Sequence, residues 1–326
     1  MKNILIQKLI FMMLLIMSII MCLSSNSFLG IWMSMEINMF SFISIMSMNQ
    51  TIKNEKSTMV YFLIQSISST MILMSILYMH MNMNFLELMK FFLMMSIFTK
   101  LGLFPFYSWM IMTIEGMTWN TCFIMLTMQK IIPLVSLMMM THKKLIMIFS
   151  LTSMMISSMK GLTMFSLRKI MGFSSMNHLS IMLMSLMLSK KLFKLYFLIY
   201  SFMTFSLTKI MKNFEMNFLF QSMNLYKFNK INNLILITLI MSMAGIPPFL
   251  GFMPKMLVIM KMMEMKMIFL TSFILILNTL STYFYMRMML TNLMMNLNSN
   301  KLKKKEKNNK FPLFIMLTPI MIMFMM

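Results

Sequence analysis

Long apolar runs separated by short polar interruptions fill the chain. They cover 4–22, 27–47, 58–79, 86–107, 120–140, 145–160, 170–189, 192–212, 232–258, 267–289 and 311–326. Most approach the length of about 20 residues that an α-helix needs to cross a bilayer. Lipid offers no hydrogen-bond partner to an open sheet edge, so every run is predicted to be helical. The pattern therefore predicts an all-α integral membrane protein with about eleven transmembrane helices in one polytopic domain, 1–326. Only Lys212 to Asn233 and Asn298 to Asn309 interrupt it at any length, and neither is long enough to fold separately.

Two runs carry internal breaks. The fourth contains Gly102-Leu103-Phe104-Pro105, and the ninth contains Gly245-Ile246-Pro247-Pro248 with Gly251. Proline removes a backbone donor and glycine loosens the turn. Broken helices at membrane depth are tolerated where protein or a wet cavity surrounds them, and matching breaks in two halves of a chain point to inverted repeats. These breaks lie five runs apart, an odd number, which would turn one five-helix unit over relative to the other. The expected repeats are 1–140 and 145–290, followed by a final helix at 311–326.

Composition sharpens this picture. Hydrophobic residues make up 60% of the 326 positions and charged ones 11%, too apolar a balance for a soluble domain to cover with polar surface. Sixty residues are Met, Ala244 is the sole alanine, Asp is absent, and Arg168 and Arg287 are the only arginines. Residues with GC-rich codons are scarce, and so much Met is most simply explained if an AT-rich isoleucine codon is read as Met. That points to an invertebrate-type mitochondrial genome and makes the Met runs soft packing filler. The first run, after Lys2, resembles a signal peptide in charge. It lacks a small-residue cleavage site and is long enough to span, so it is read as the first helix.

The net charge of +22 argues for the bilayer and against nucleic acid, because most lysines fall in short loops where they orient spans. Lys2, Lys53, Lys56, Lys160, Arg168, Lys169, Lys212, Lys227, Lys230 and the Lys301 to Lys310 cluster share one side. Lys143, Lys144, Lys190, Lys191, Lys194, Lys261 and Lys266 take the other. This bias puts the amino terminus on the positive, matrix-equivalent face. Cys22 and Cys122 are too few for an iron–sulfur cluster or a disulfide framework. No phosphate loop, zinc spacing or nucleophile elbow occurs, so no cofactor or metal is expected on this chain.

Chemistry then rests on a few ionisable groups inside the spans. Glu36 falls near the middle of the second, where an ionised carboxylate needs protein around it. Lys100 precedes the Gly102 break and Lys130 sits mid-span, both too central to reach the interface as Lys8, Lys90, Lys191 and Lys209 are expected to do. Burial disfavours a charged amine and a nearby carboxylate favours it, so a Glu36–Lys100 pair could load or unload a proton as charge moves nearby. Structural ion pairing is the competing account. Lys255 follows the second break and could extend the polar line, or reach the nearer face. His178, with Ser174, Ser175 and Asn177 beside it, is a candidate relay near neutral pH or a hydrogen-bonded packing residue. His80 and His142 are read as loop residues, and Glu115 as interfacial.

Taken in order, Trp32 to Asn38, Lys100-Leu101-Gly102 with Pro105-Phe106 and Trp109, Gln129-Lys130 with Pro133, Leu167 to Ile170 with Ser174, Ser175 and His178, and Gly245 to Lys255 resemble one family. It is that of the mitochondrial NADH–ubiquinone oxidoreductase chain 2 proteins, antiporter-like subunits of respiratory complex I. The resemblance implies a proton-pumping subunit of the membrane arm in the mitochondrial inner membrane, with Glu36, Lys100, Lys130 and Lys255 on its polar axis. It also implies that NADH, flavin, iron–sulfur clusters and ubiquinone are handled by partner subunits, and that neighbouring antiporter-like subunits and lipids surround this chain. Animal members similarly lack the first helices of their bacterial relatives, in keeping with about eleven spans here. Tyr107 stands where the family usually has His, and Ile111-Met112 where it has Pro and a polar residue, which removes the basis for a proton exit at 107. Two other readings use the same residues: a stand-alone cation/proton antiporter subunit, and a structural membrane scaffold that transports nothing.

Overall fold

In the computed structural model, residues 2–48, 51–81, 86–140, 143–221 and 230–294 are described. The expected final helix 311–326, the Lys301 to Lys310 cluster, Lys227 and His142 lie outside them. The described residues form thirteen α-helices: α1 Lys2–Ser24, α2 Phe28–Ser47, α3 Ile52–Met81, α4 Leu86–Leu101, α5 Ser108–Gly116, α6 Trp119–Leu126, α7 Met128–Met138, α8 Lys143–Thr163, α9 Leu167–Leu188, α10 Lys190–Asn213, α11 Lys230–Ala244, α12 Phe252–Glu264 and α13 Ile268–Met294.

Seven stretches among them are long and apolar enough to cross a membrane: α1, α2, α3, the α6–α7 pair, α8, α9 and α13. In the expected fourth run, 86–107, α4 stops at Leu101 and α5 begins only beyond the run at Ser108, while the expected ninth is divided between α11 and α12, because each break ends a helix outright. The run at 192–212 does form one helix, but the five lysines of α10 leave it less apolar than the seven. His80 falls within α3, which runs further than its apolar pattern suggested.

The chain divides into two compact units, Met1–Lys143 and Lys144–Met326. In the first, α3 packs against α2, α4 and α5, while α7 meets α1, α2, α4 and α6. In the second, α9 packs against α10 and α12, and α13 against α11 and α12. Burial differs sharply between helices. The α9 span is 89% buried, whereas the α1 span is 17% buried and presents Ile6, Leu9, Ile10, Met13 and Met17 outward. Hydroxyls in the apolar interior turn back onto their own helices: Ser34, Ser96, Ser174 and Ser180 donate to carbonyls three residues earlier at 2.6–2.8 Å. This keeps them from being orphaned in the apolar interior.

One end of the second unit is tied together by polar contacts. Arg287 near the end of α13 donates to the carbonyls of Leu162, in the last turn of α8, and Met164, just after it. Arg168 donates to Asn217 Oδ1 at 2.9 Å, and Ser166 bridges Phe218 in antiparallel fashion. The α8–α9 connection, the segment after α10 and the end of α13 thus meet at one end, where the loop charges had already grouped Lys160, Arg168, Lys169 and Lys212.

Candidate functional site

Both breaks are built the same way. Gly102 adopts φ +66°, its N–H bonds Thr99 O at 3.1 Å, and Leu103 N–H bonds Phe98 O at 3.2 Å. Gly245 adopts φ +75°, its N–H reaches Ser242 O at 3.1 Å, and Ile246 N–H reaches Met241 O at 3.4 Å. Each is a double-bonded left-handed helix end of the kind glycine permits. The carbonyls of the last turn then carry the partial negative charge of a helix terminus inside the protein. Lys100 sits in the last turn of α4, and Lys255 reaches back from the start of α12 so that its Nζ donates to Ala244 O at 2.8 Å.

A third interruption lies between α6 and α7. Thr127 takes φ −121° and ψ −73°, and its hydroxyl donates to Phe123 O at 2.8 Å. Pro133 within α7 removes the helical donor for the carbonyl of Gln129. Lys130 therefore stands on the least regular turn of its span.

Among the described residues, Lys100, Lys130 and Lys255 are the buried lysines, 7%, 3% and 5% exposed. Lys8 and Lys90 are half-buried, and Lys191 and Lys209 are exposed. Lys130 Nζ is buried and has no hydrogen-bond partner among the described residues. Together with Lys100 it lines a cavity of about 20 Å³, room for about one water molecule. Asn38, Tyr61, Gln65 and Gln129 contribute the other polar lining.

These polar residues form a connected chain across three helices. Tyr61 donates to Gln129 Oε1 at 3.0 Å, and Gln129 Nε2 donates to Asn38 Oδ1 at 3.1 Å. Gln65 Nε2 adds a longer contact of 3.4 Å to the carbonyl of Lys100. Sequence reasoning placed Asn38 and Gln129 in motifs without assigning them work, and it missed Tyr61 and Gln65. An intramembrane amide two residues from Glu36 and another next to Lys130 were the available signals.

Glu36 is half-buried on α2 and stands outside the cavity lining. Its Oε1 is buried without a hydrogen-bond partner among the described residues, and no ion pair joins it to Lys100 there. The Glu36–Lys100 pair expected from the sequence is thus not a direct contact in this structure.

In the second unit, His178 is 1% exposed on α9. Its Nδ1 lies 3.0 Å from the Tyr196 hydroxyl, and the Tyr200 ring centre is 5.2 Å from its own. Neither amide atom of Asn177 has a hydrogen-bond partner among the described residues. Tyr107 caps the start of α5 through its carbonyl, which accepts from Met110 N–H and Ile111 N–H; Ile111 is buried and Met112 exposed. Glu115 is exposed in the last turn of α5.

Such a site, with buried amines beside helix breaks and hydrogen-bonding amides between, suits the movement of a small cation. Residues 25–281 match the family model described as NADH:quinone oxidoreductase/Mrp antiporter, TM. The NADH-ubiquinone oxidoreductase chain 2 of Anopheles gambiae is 36% identical over 308 residues, covering 92% of this chain and 90% of that one. A solved structure titled respiratory complex I from Thermus thermophilus with bound Aureothin contains a chain with TM-score 0.82 at 15% identity, covering 98% of this chain and 76% of that one. A chain of the Mrp complex from Dietzia sp. DQ12-45-1b gives TM-score 0.78 at 14% identity, covering 86% of this chain and 59% of that one. The chain belongs to the NADH:quinone oxidoreductase/Mrp antiporter transmembrane family.

Proposed function

We propose that this chain is the chain-2-type, proton-translocating antiporter-like subunit of respiratory complex I in the mitochondrial inner membrane. Glu36, Lys100 and Lys130 carry the proton chemistry of its first unit, and Lys255 and His178 that of its second. One observation supports this above the rest: two buried lysines share a small polar cavity, and one of them, Lys130, has no hydrogen-bond partner for its amine among the described residues. A structural lysine would be expected to hold a partner, since an uncompensated buried charge is costly. Carriage of a proton requires instead a group able to change its charge.

On this reading, NADH oxidation and ubiquinone reduction take place on partner subunits, and the resulting shift of charge along the membrane arm alters the field of Glu36 at Lys100. Lys100 then releases or takes a proton, and Lys130 exchanges it through the cavity that both residues line. The Tyr61–Gln129–Asn38 chain fixes the orientation of that cavity's polar wall. Two helix breaks of the same construction, one in each unit, support the reading of the chain as two related five-helix repeats.

A stand-alone cation/proton antiporter is the second reading, supported by the fold shared with the Mrp complex chain. Gentle solubilisation of native membranes followed by separation by size distinguishes the two. Migration of this chain with NADH-oxidising activity is the expected outcome. Migration apart from that activity, together with sodium- or potassium-driven proton exchange, would replace the complex I reading with the antiporter one.

A further inference from the structure

Gly245 does more than terminate α11. A Cβ built on it would lie 2.8 Å from Lys255 Cδ, 2.9 Å from Cε and 2.9 Å from Nζ. The other tight glycines in the chain meet different obstacles. At Gly251 the added carbon would strike the Ser242 carbonyl oxygen at 1.7 Å, and at Gly116 the Lys53 carbonyl oxygen at 2.5 Å, so backbone itself forbids the side chain. At Gly102 the obstacle is Met110. At Gly245 the three nearest atoms all belong to the far end of a flexible lysine, which would yield before any backbone does.

The consequence concerns where that amine goes. Lys255 is 5% exposed, and its Nζ donates to Ala244 O at 2.8 Å, the carbonyl immediately before Gly245. The left-handed turn at Gly245 ends the helix, so that the Ala244 carbonyl is left for a non-helical donor, and the missing side chain leaves the space through which Lys255 passes to it. We propose that Gly245 is a positioning residue for Lys255: its bare Cα is the seat that holds the lysine amine on the carbonyl end of the broken helix. This rests on the reading of Lys255 as a proton-carrying group, and it adds that the break and the lysine form one device, in which a methyl group at 245 displaces the amine in addition to the backbone strain that any L side chain meets at φ +75°.

The test uses the assembled complex carrying Gly245→Ala, Lys255→Ala and the double variant, each measured for protons moved per electron pair and for thermal midpoint. Gly245→Ala is expected to lower the proton yield to that of Lys255→Ala, with no further loss in the double variant, and the midpoint shifts are expected to be non-additive in the same way. Additive losses, or a parental proton yield in Gly245→Ala when Lys255→Ala is impaired, would overturn the proposal. If Gly245→Ala alone fails to assemble, truncating Lys255 removes all three obstructing atoms and should restore assembly. Failure of that rescue would show that the glycine serves the backbone alone. Gly251→Ala provides the contrast, because its clash with Ser242 cannot be relieved by Lys255→Ala. Should Lys255→Ala pump normally, the carrier role of Lys255 falls, and the thermal midpoints then decide the seating by themselves, non-additive shifts upholding it and additive ones overturning it.

Discussion

Replacing Lys130 with Met should separate function from stability by changing them in opposite directions. Lys130 Nζ is buried and without a hydrogen-bond partner among the described residues, on a side chain 3% exposed. An uncompensated buried ammonium costs on the order of several kcal/mol. One water in the adjoining cavity of about 20 Å³ would recover only about 1.5–3 kcal/mol of that, the range for a hydrogen bond to a charged group. Met is of similar length, unbranched and adaptable, so it fills the same space without leaving a void. Lys130→Met should therefore leave the assembled complex at least as stable as the parent, by analogy with buried ion pairs, whose replacement by apolar groups of like volume is neutral or stabilising by about 1–4 kcal/mol. Proton yield per electron pair should fall at the same time. The assay is a thermal midpoint on purified complex alongside proton uptake in sealed vesicles during NADH oxidation. A lower midpoint with an unchanged proton yield would refute the reasoning and favour a structural lysine.

Three further outcomes follow from the same contacts. Glu36→Gln keeps the side-chain shape but removes the carboxylate that the proposed function couples to Lys100, so proton yield should fall with little loss of assembly, and Glu36→Asp should restore part of it; a stopped-flow pH indicator in vesicles reads both. Gln129→Leu leaves the Tyr61 hydroxyl and Asn38 Oδ1 without their partner, which should cost about 1–3 kcal/mol for each group stranded in the interior and appear as a lowered thermal midpoint. Arg287→Leu removes two donors from the carbonyls of Leu162 and Met164, and limited proteolysis should then cut the α8–α9 connection faster than in the parent; equal cutting rates would show that the tie is dispensable.

Depth along the membrane was readable from the sequence, and rotation about each helix was not. Apolar runs bounded the helices, and the Gly and Pro clusters marked where α4 and α11 end, because those residues act on the backbone locally. Position within a run also separated Lys100 and Lys130 from the lysines nearer the ends, since a side chain too far from either end has no way out, whereas Lys255, for which both readings stood open, is settled as buried by the structure alone. Glu36 showed the limit of this reasoning. Its depth placed it against protein and a pair with Lys100 was expected, but the direction a side chain points depends on how helices pack, and no direct contact joins the two. The Tyr61–Gln129–Asn38 chain joins residues 68 and 91 positions apart, a juxtaposition no local pattern encodes. The helix breaks at Thr127 without Gly or Pro at that position, and a lone Thr in an apolar run gives no warning of that. Arg287 was noted for rarity alone, since nothing in its surroundings in sequence names backbone carbonyls more than 120 residues away as its partners.

The central claim, that buried lysines in this chain carry the pumped protons, is tested most directly by the proton-to-electron ratio of the purified complex with Lys100→Met, reconstituted into sealed vesicles and driven by NADH and a ubiquinone analogue. The account expects a complex that assembles and oxidises NADH but moves fewer protons per electron pair than the parent. A parental ratio in a fully assembled Lys100→Met complex would contradict it.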